Sequence, residues 1–341
     1  MINTQNRVKT IEDALVELGE PTFRLKQIVQ AIYQGTAPSY NEMTNLPKIL
    51  RDELTQKLGK LLTLEPIKEE RSEDTIKVLF KTDKGFLVES VLMTYGNHTT
   101  ICISSHSGCP LGCEFCATGK MPNNTTLSID EVCDQVLYFV KQNMRPDNIV
   151  IMGMGEPLIN PDIFNILEIF TNKDYFGYGQ RHISISTVGI VPMLKKLNEQ
   201  FPQVNVAFSM HSPFDEEREG LMPINKAYPI TQVFDALQKH VNINKRKIFV
   251  SYIMLKNVND SDAHAEELAK LINNLGKNKY LFNVNLIKFH PFEKSKFEPS
   301  TPDKIKHFSI LLKRLGVNNT IRKDFGEEIK GACGQLAGTN D

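Results

Sequence analysis

From about residue 98 to residue 323 the chain switches between two apolar periods, and that switching limits its folds more than any other feature. NIVIMG (148–153), HISIST (182–187), VNVAFSM (204–210), KIFVSYIML (247–255), FNVNLIKF (282–289) and NNTIRK (318–323) are short, rich in β-branched residues and strand-like. The segments between them, 161–171, 190–199, 230–240, 261–275 and 302–315, carry apolar residues at helical spacing. An earlier segment, SIDEVCDQVLYFVKQN (128–143), opens on Ser128 with Glu131 three residues later, the capping-box pattern of a helix start. Strands separated by helices make βαβ units, and such units assemble one parallel sheet. About six units predict either a partial barrel or a doubly wound sheet, and both place ligands at the carboxyl ends of the strands. With 41% apolar residues in 341, a core of that size can form.

Two other textures precede the alternation. Leu15, Leu18, Leu25, Ile28, Val29 and Ile32, then Leu50, Leu54 and Leu58, recur at helical spacing, punctuated by Pro21, Gly35 and Pro38. Arg24, Lys26, Lys48, Arg51, Lys57 and Lys60 fall among these helices. They suit solvated helix faces, or a small RNA-docking module. TIKVLFKT, GFLVESVLM and TTICISS then read as a hairpin leading into a third strand, with turns at Asp83-Lys84-Gly85 and Gly96-Asn97. The expected organisation is a helical module over 1–65, a β-hairpin region over 66–97, the core over 98–324 and a tail over 325–341.

Basic and acidic residues balance at 40 each, so net charge argues neither for nor against nucleic acid, and any basic surface must be local. The opening MINTQNRVKTIEDALVELGE lacks a secretory apolar region, and no apolar run is long enough to cross a membrane. A cytoplasmic, reducing setting is expected, where clustered thiols serve as metal ligands or catalysts. Such a cluster exists. GCPLGCEFCATGK (108–120) holds Cys109, Cys113 and Cys116, three of the six cysteines, on a loop after a strand. A cubane iron–sulfur cluster normally takes four thiolates; three leave one iron open, as a catalytic centre needs. With His106, the same thiols could instead form a closed Cys3His zinc site, as in a non-catalytic RNA-binding protein.

Cys-x3-Cys-x2-Cys in this place resembles the signature of radical S-adenosylmethionine (SAM) enzymes. CISSHSGC, GMGEP, SISTVGI, SMHSP, LMPIN and IRKDFGEEIKGACGQL are similar to the 23S rRNA adenosine-2503 methyltransferases. That family has two arms, RlmN (carbon 2, with tRNA as a further substrate) and Cfr (carbon 8). HSPF, FPQVN, SISTVGI and FCATG are Cfr-like, whereas GMGEP leans towards RlmN. The resemblance spans nearly the whole chain. It implies an α/β fold: a partial (βα)6-type radical-SAM barrel with a small helical N-terminal module and a β-hairpin extension.

It also implies roles. Cys109, Cys113 and Cys116 would hold a [4Fe-4S] cluster whose open iron binds SAM, releasing a 5′-deoxyadenosyl radical. Gly155 and Glu156 would hold the amino group of SAM, and Ser186, Ser209, Met210 and His211 would contact it. His290, in Phe289-His290-Pro291-Phe292, stands where the family has an Asn. Cys333 would be methylated by a first SAM and lose a hydrogen to the radical from a second, two SAM per turnover. Its carbon radical would then add to the adenine, with Glu89 as proton acceptor and Cys102 forming a disulfide with Cys333 as product leaves. Taken bare, Glu89 is an alternating polar residue of a strand, and Cys133 reads as core. The implied partners are 23S rRNA ahead of full ribosome assembly and an electron donor such as flavodoxin or ferredoxin. Lys245-Arg246-Lys247 and Arg322-Lys323 are candidate phosphate contacts. No membrane partner is expected, and carbon-8 methylation would confer resistance to drugs of the peptidyl transferase centre.

Overall fold

The computed structural model describes residues 6–293, 295–323, 325, 326, 328, 329 and 334–336. Three helices come first: α1 (Arg7–Glu17), α2 (Phe23–Tyr33) and α3 (Lys48–Leu58). Their apolar faces bury Ile11, Leu15, Ile28, Ile32, Leu50 and Leu54. A ten-stranded sheet follows, numbered here in chain order. β1 (Glu65–Arg71), β2 (Thr75–Lys81), β3 (Leu87–Tyr95) and β4 (His98–Ile103) pair antiparallel in succession. From β4 onward, β5 (Asn148–Ile151), β6 (Ile183–Thr187), β7 (Asn205–Ser209), β8 (Ile248–Met254), β9 (Phe282–Lys288) and β10 (Asn319–Ile321) pair parallel.

Each strand adds beside its predecessor, so the order never reverses. A doubly wound sheet needs such a reversal. The structure therefore takes the barrel branch, left open because β1 and β10 are edges. The crossovers carry α4 (Ile129–Val140), α5 (Ile163–Thr171), α6 (Val191–Gln200), the short α7 (Asp215–Leu221), α8 (Ile230–Asn244), α9 (Asp262–Asn273) and α10 (Pro302–Arg314). The capping box forms at α4, with Ser128 and Glu131 each bonding the other's backbone N–H.

Strand alternation assigns the two faces. Ile101, Ile149, Ile183, Ile185, Val206 and Ile248 are buried on one face, and register sets Ile101 beside Ile149, Ile149 beside Ile183, and Val206 beside both Ile185 and Ile248. The opposite, inner face carries Cys102, Ser186, Ser209 and Ser251, with Ser209 beside Ser251. These small side chains leave space inside the curve of the sheet.

Two elements depart from the sequence reading. β1 occupies a segment with no apolar alternation, EPIKEER, and it pairs along β2 as the charged edge of the sheet. α7 is a short, acid-led helix of seven residues. The helical module is fastened to the core by buried charge. The Arg7 guanidinium pairs with Asp134 of α4, and its backbone N–H donates to Asp130 at 2.6 Å. Asp134 also accepts from the N–H groups of Thr63 (2.6 Å) and Leu64 (3.2 Å). Among the described residues no helix is long and apolar enough to cross a membrane.

Candidate active site

The cysteine loop leaves β4 through a short ribbon, His106–Ser107 against Thr125–Thr126, which ties its two ends together. Gly108 sits at φ +79°, and a Cβ there would lie 1.8 Å from the Asn123 carbonyl oxygen, so only glycine fits. Cys109, Cys113 and Cys116 all line one cavity of about 200 Å³. Burial pushes the Cys109 thiol up to about 12 and Cys113 well above its usual range. Such thiols bind metal only as thiolates, releasing their protons as the metal binds.

Three thiols lining one cavity fit a cubane with one iron left open. Among the described residues no three of His, Cys, Asp and Glu converge on one ion-sized point. A cubane places its thiolates on separate irons. The Cys3His zinc alternative is not formed. His106 is buried, its Nδ1 lies 2.8 Å from Ser105 Oγ, and it does not line the cavity. Gly155 packs against that ring: at φ +98°, a Cβ there would fall 2.4 Å from Nδ1.

The strand ends form a shelf beside the loop. Gly155, Glu156, Ser186, Ser209, His211 and His290 all line the cavity. Glu156 accepts from the N–H groups of Val188 (2.9 Å) and Leu158 (3.1 Å), yet its burial lifts the carboxyl to about 7. The Ser186 and Ser209 hydroxyls are 3.2 Å apart. His211 adopts φ +61°, and its Nδ1 accepts from the Ile253 N–H at 3.0 Å. Burial, with Arg218 nearby, lowers it to about 3, so the neutral ring carries its proton on Nε2 as a donor. Met210 differs from the others: it is fully buried in the core and does not line the cavity.

Arg218, which the sequence reading passed over, holds the shelf from beneath. It is fully buried on α7. Its guanidinium donates to the carbonyls of Met210 (3.0 Å), Val188 (2.8 Å) and Ser209 (2.9 Å) and to the Asn225 side chain. The same helix anchors the cysteine loop, since the Leu221 carbonyl accepts from the Glu114 N–H at 2.9 Å. Burial lowers Arg218 only to about 10, so it stays a cation at neutral pH. The one available signal was an Arg within a segment, HSPFDEEREGLMPIN, too polar for a core helix.

The remaining candidates divide. Cys102 lines the cavity, opposite Val91 of β3. Glu89 lies on the same face of β3 as Val91 but outside the lining, 2.7 Å from the Lys77 ammonium. Cys333 lies outside the described residues. Of the described residues after it, Gly334 and Leu336 line the cavity. They dock on the cysteine loop: the Gly334 carbonyl accepts from the Ala117 N–H (3.0 Å) and the Leu336 carbonyl from the Thr118 hydroxyl (2.6 Å). No disulfide joins two of the described cysteines, and Cys133 is fully buried in the core. Arg322 and Lys323 line the cavity, whereas Lys245-Arg246-Lys247 precedes β8, at the end of the sheet away from the strand carboxyl ends.

Known proteins share these features. Residues 103–272 match the family model of the radical SAM superfamily, and residues 5–58 match that of the ribosomal RNA large subunit methyltransferase N-terminal domain. The chain is 42% identical over 338 residues to the ribosomal RNA large subunit methyltransferase Cfr of Bacillus velezensis, covering 98% of this chain and 97% of that one. It is 41% identical over 340 residues to the protein of the same name from Staphylococcus aureus, with the same coverage. A crystal structure of a radical SAM methyltransferase from Sphaerobacter thermophilus matches with a TM-score of 0.90 at 37% identity, covering 97% of this chain and 98% of that one.

Proposed function

The chain belongs to the radical SAM ribosomal RNA large subunit methyltransferases of the RlmN and Cfr type, nearer to Cfr, and we propose that it methylates carbon 8 of adenosine 2503 in 23S rRNA through a methylated Cys333. One observation carries the reading. Three loop thiols, the Glu156–Ser186–Ser209–His211 shelf, and Gly334 and Leu336 beside the tail thiol meet in one cavity.

Cys109, Cys113 and Cys116 hold a [4Fe-4S] cluster, which when bound supplies the electron that cleaves SAM. Glu156 accepts from the amino group of SAM, His211 donates from Nε2, and Ser186 with Ser209 offers hydroxyls at the strand ends. His290 takes the place of the family's Asn, and Arg218 keeps the shelf in register. Two SAM molecules serve each turnover, one to methylate the Cys333 sulfur and one to activate that methyl group. An aromatic amidine carbon is electrophilic and does not attack an electrophilic methyl donor. A carbon radical on the protein adds to it instead. Glu89 then takes the ring proton, the adduct's unpaired electron returns to the bound cluster, and Cys102 releases the product by pairing with Cys333 while its thiol proton completes the methyl group.

The adenine must leave its stack to reach this cavity. Arg322 and Lys323 contact phosphates at the cavity, and the α1–α3 module docks the surrounding RNA. A small reduced carrier such as flavodoxin or ferredoxin supplies the electron. Relatives named Cfr support carbon 8, with resistance to peptidyl-transferase-centre drugs as its consequence. Gly153-Met154-Gly155-Glu156-Pro157 favours the second reading, carbon 2. Mass spectrometry of 23S rRNA from cells with and without the gene decides. One added methyl group at carbon 8 of that adenosine is expected, a methyl at carbon 2 establishes the second reading, and an unmodified base contradicts both.

A further inference from the structure

Three adjacent strands align three charged side chains from solvent to the buried edge of the site. Glu70 on β1 is the register partner of Lys77 on β2, and their charged groups lie 3.6 Å apart. The Lys77 ammonium is 2.7 Å from the Glu89 carboxylate on β3, diagonal to its own register partner Val91. Exposure falls along the file, from 32% for the Glu70 side chain to 9% for Lys77 and 2% for Glu89. Lys77 also donates to the Ile329 carbonyl at 3.2 Å, in the segment leading to Cys333. The middle of the file thus touches the chain that carries the acceptor thiol, and the outer end meets water.

We propose that Glu70, Lys77 and Glu89 form a proton exit, in which Lys77 empties Glu89 after Glu89 has taken the ring proton of the adenine. The inference rests on the reading of Glu89 as proton acceptor. A buried acid that accepts a proton in each turnover must shed it before the next, and water does not reach Glu89 directly. The ring C–H bond gives its proton to the Glu89 carboxylate, and the electron pair of that bond stays with the ring. Lys77 passes one N–H proton to the Glu70 carboxylate, then takes the Glu89 proton onto the lone pair so uncovered. The ammonium and the Glu89 carboxylate are restored, and Glu70 releases its proton to water. The file moves one proton and no electron. The inner contact has the length of a charge-assisted hydrogen bond. The outer contact is longer than a hydrogen bond, and rotation of the half-exposed Glu70 side chain closes it.

The test uses the reconstituted holoenzyme with its rRNA and follows 5′-deoxyadenosine, methylated adenosine and covalent protein–RNA adduct. Glu89→Gln is the reference. If it traps no adduct, the reading of Glu89 fails, and the relay with it. If it traps adduct, the relay stands alone on the next two variants. Lys77→Met is expected to form 5′-deoxyadenosine within about twofold of the wild-type rate until adduct has accumulated, and to release methylated RNA about 100-fold more slowly from then on. Glu70→Gln, on the edge strand where the fold tolerates it, is expected to slow release about 10-fold, and Lys77→Arg to recover little because arginine does not give up its proton. Wild-type release from Glu70→Gln and Lys77→Met overturns the relay. So does a Lys77→Met protein that loses 5′-deoxyadenosine in step with methylated RNA without accumulating adduct while Glu70→Gln is unaffected, since Lys77 is then only a brace for the tail.

Discussion

Glu156 is the buried carboxyl of the proposed SAM shelf. It is nearly inaccessible, and two backbone N–H groups do not fully offset the cost of burying its charge, which leaves the carboxyl at about 7. Between about pH 4.5 and 7 the folded protein holds a proton that the unfolded chain has released, so stability falls as pH rises across that window. The loss amounts to about 3 kcal/mol. Unfolding of the metal-free protein should show this slope, and Glu156→Gln, which has no proton to lose, should be missing it. A ligand amino group reverses the balance by favouring the carboxylate, so SAM should bind more tightly at pH 8 than at pH 6, and Glu156→Gln should flatten that dependence. Gly155 is a second pressure point. At φ +98° and in contact with His106, it leaves no room for a methyl group. Gly155→Ala should lower stability by about 2–4 kcal/mol in denaturant unfolding.

At the scale of elements, two buried cations hold separate parts in place. Arg218 lets the short α7 fix the ends of β6 and β7, through the carbonyls of Val188, Ser209 and Met210. Arg218→Met takes the guanidinium away from the Val188 and Ser209 carbonyls, at about 1–3 kcal/mol each, while the Met210 carbonyl keeps the Ser212 N–H at 2.8 Å. SAM affinity, measured by equilibrium dialysis, should drop at least 10-fold in that variant if it folds; an unchanged affinity would show that the shelf stands without α7. Arg7 and Asp134 act between modules. The pair is sealed from solvent, and Asp134 also caps the N–H groups of Thr63 and Leu64 where the chain passes from the helices to β1. Removing one partner of a buried pair costs about 3–5 kcal/mol. Asp134→Ala should therefore lower the stability of the chain by that amount in chemical denaturation. Methylation of rRNA should fall more than SAM cleavage does, because the helical module would lose its fixed bearing on the core.

For the molecule as a whole, most of the architecture was legible because the local signals agreed with the global one. Isoleucine and valine at alternate positions marked strands that the structure reproduces nearly residue for residue, and Ser128 with Glu131 gave the start of α4. β1 was illegible because an edge strand buries little and needs no alternation, and α7 because its place is set by what Arg218 reaches across the fold. Choosing barrel over doubly wound sheet required the strand order, which is a long-range property. In the site, the cysteine spacing and strand-end glycines announced themselves, and the cavity gathers Gly155, Glu156, Ser186, Ser209, His211 and His290 around them. Met210 turned into the core and the 245–247 basic cluster fell at the far end of the sheet, since neither side-chain direction nor strand end is written in composition. Lys77 was invisible as a partner of Glu89 until three strands came into register.

The central claim is that methyl transfer passes through a protein-bound carbon inside that one cavity. Supplying SAM with a fully deuterated methyl group and weighing the product of turnovers after the first tests it directly. If the methyl group is first carried by Cys333 and then loses one atom to the radical, the new methyl on the adenosine must keep two deuterium atoms, with the third in 5′-deoxyadenosine. A product methyl with all three deuterium atoms, and none in 5′-deoxyadenosine, would mean direct transfer from SAM and would contradict the account.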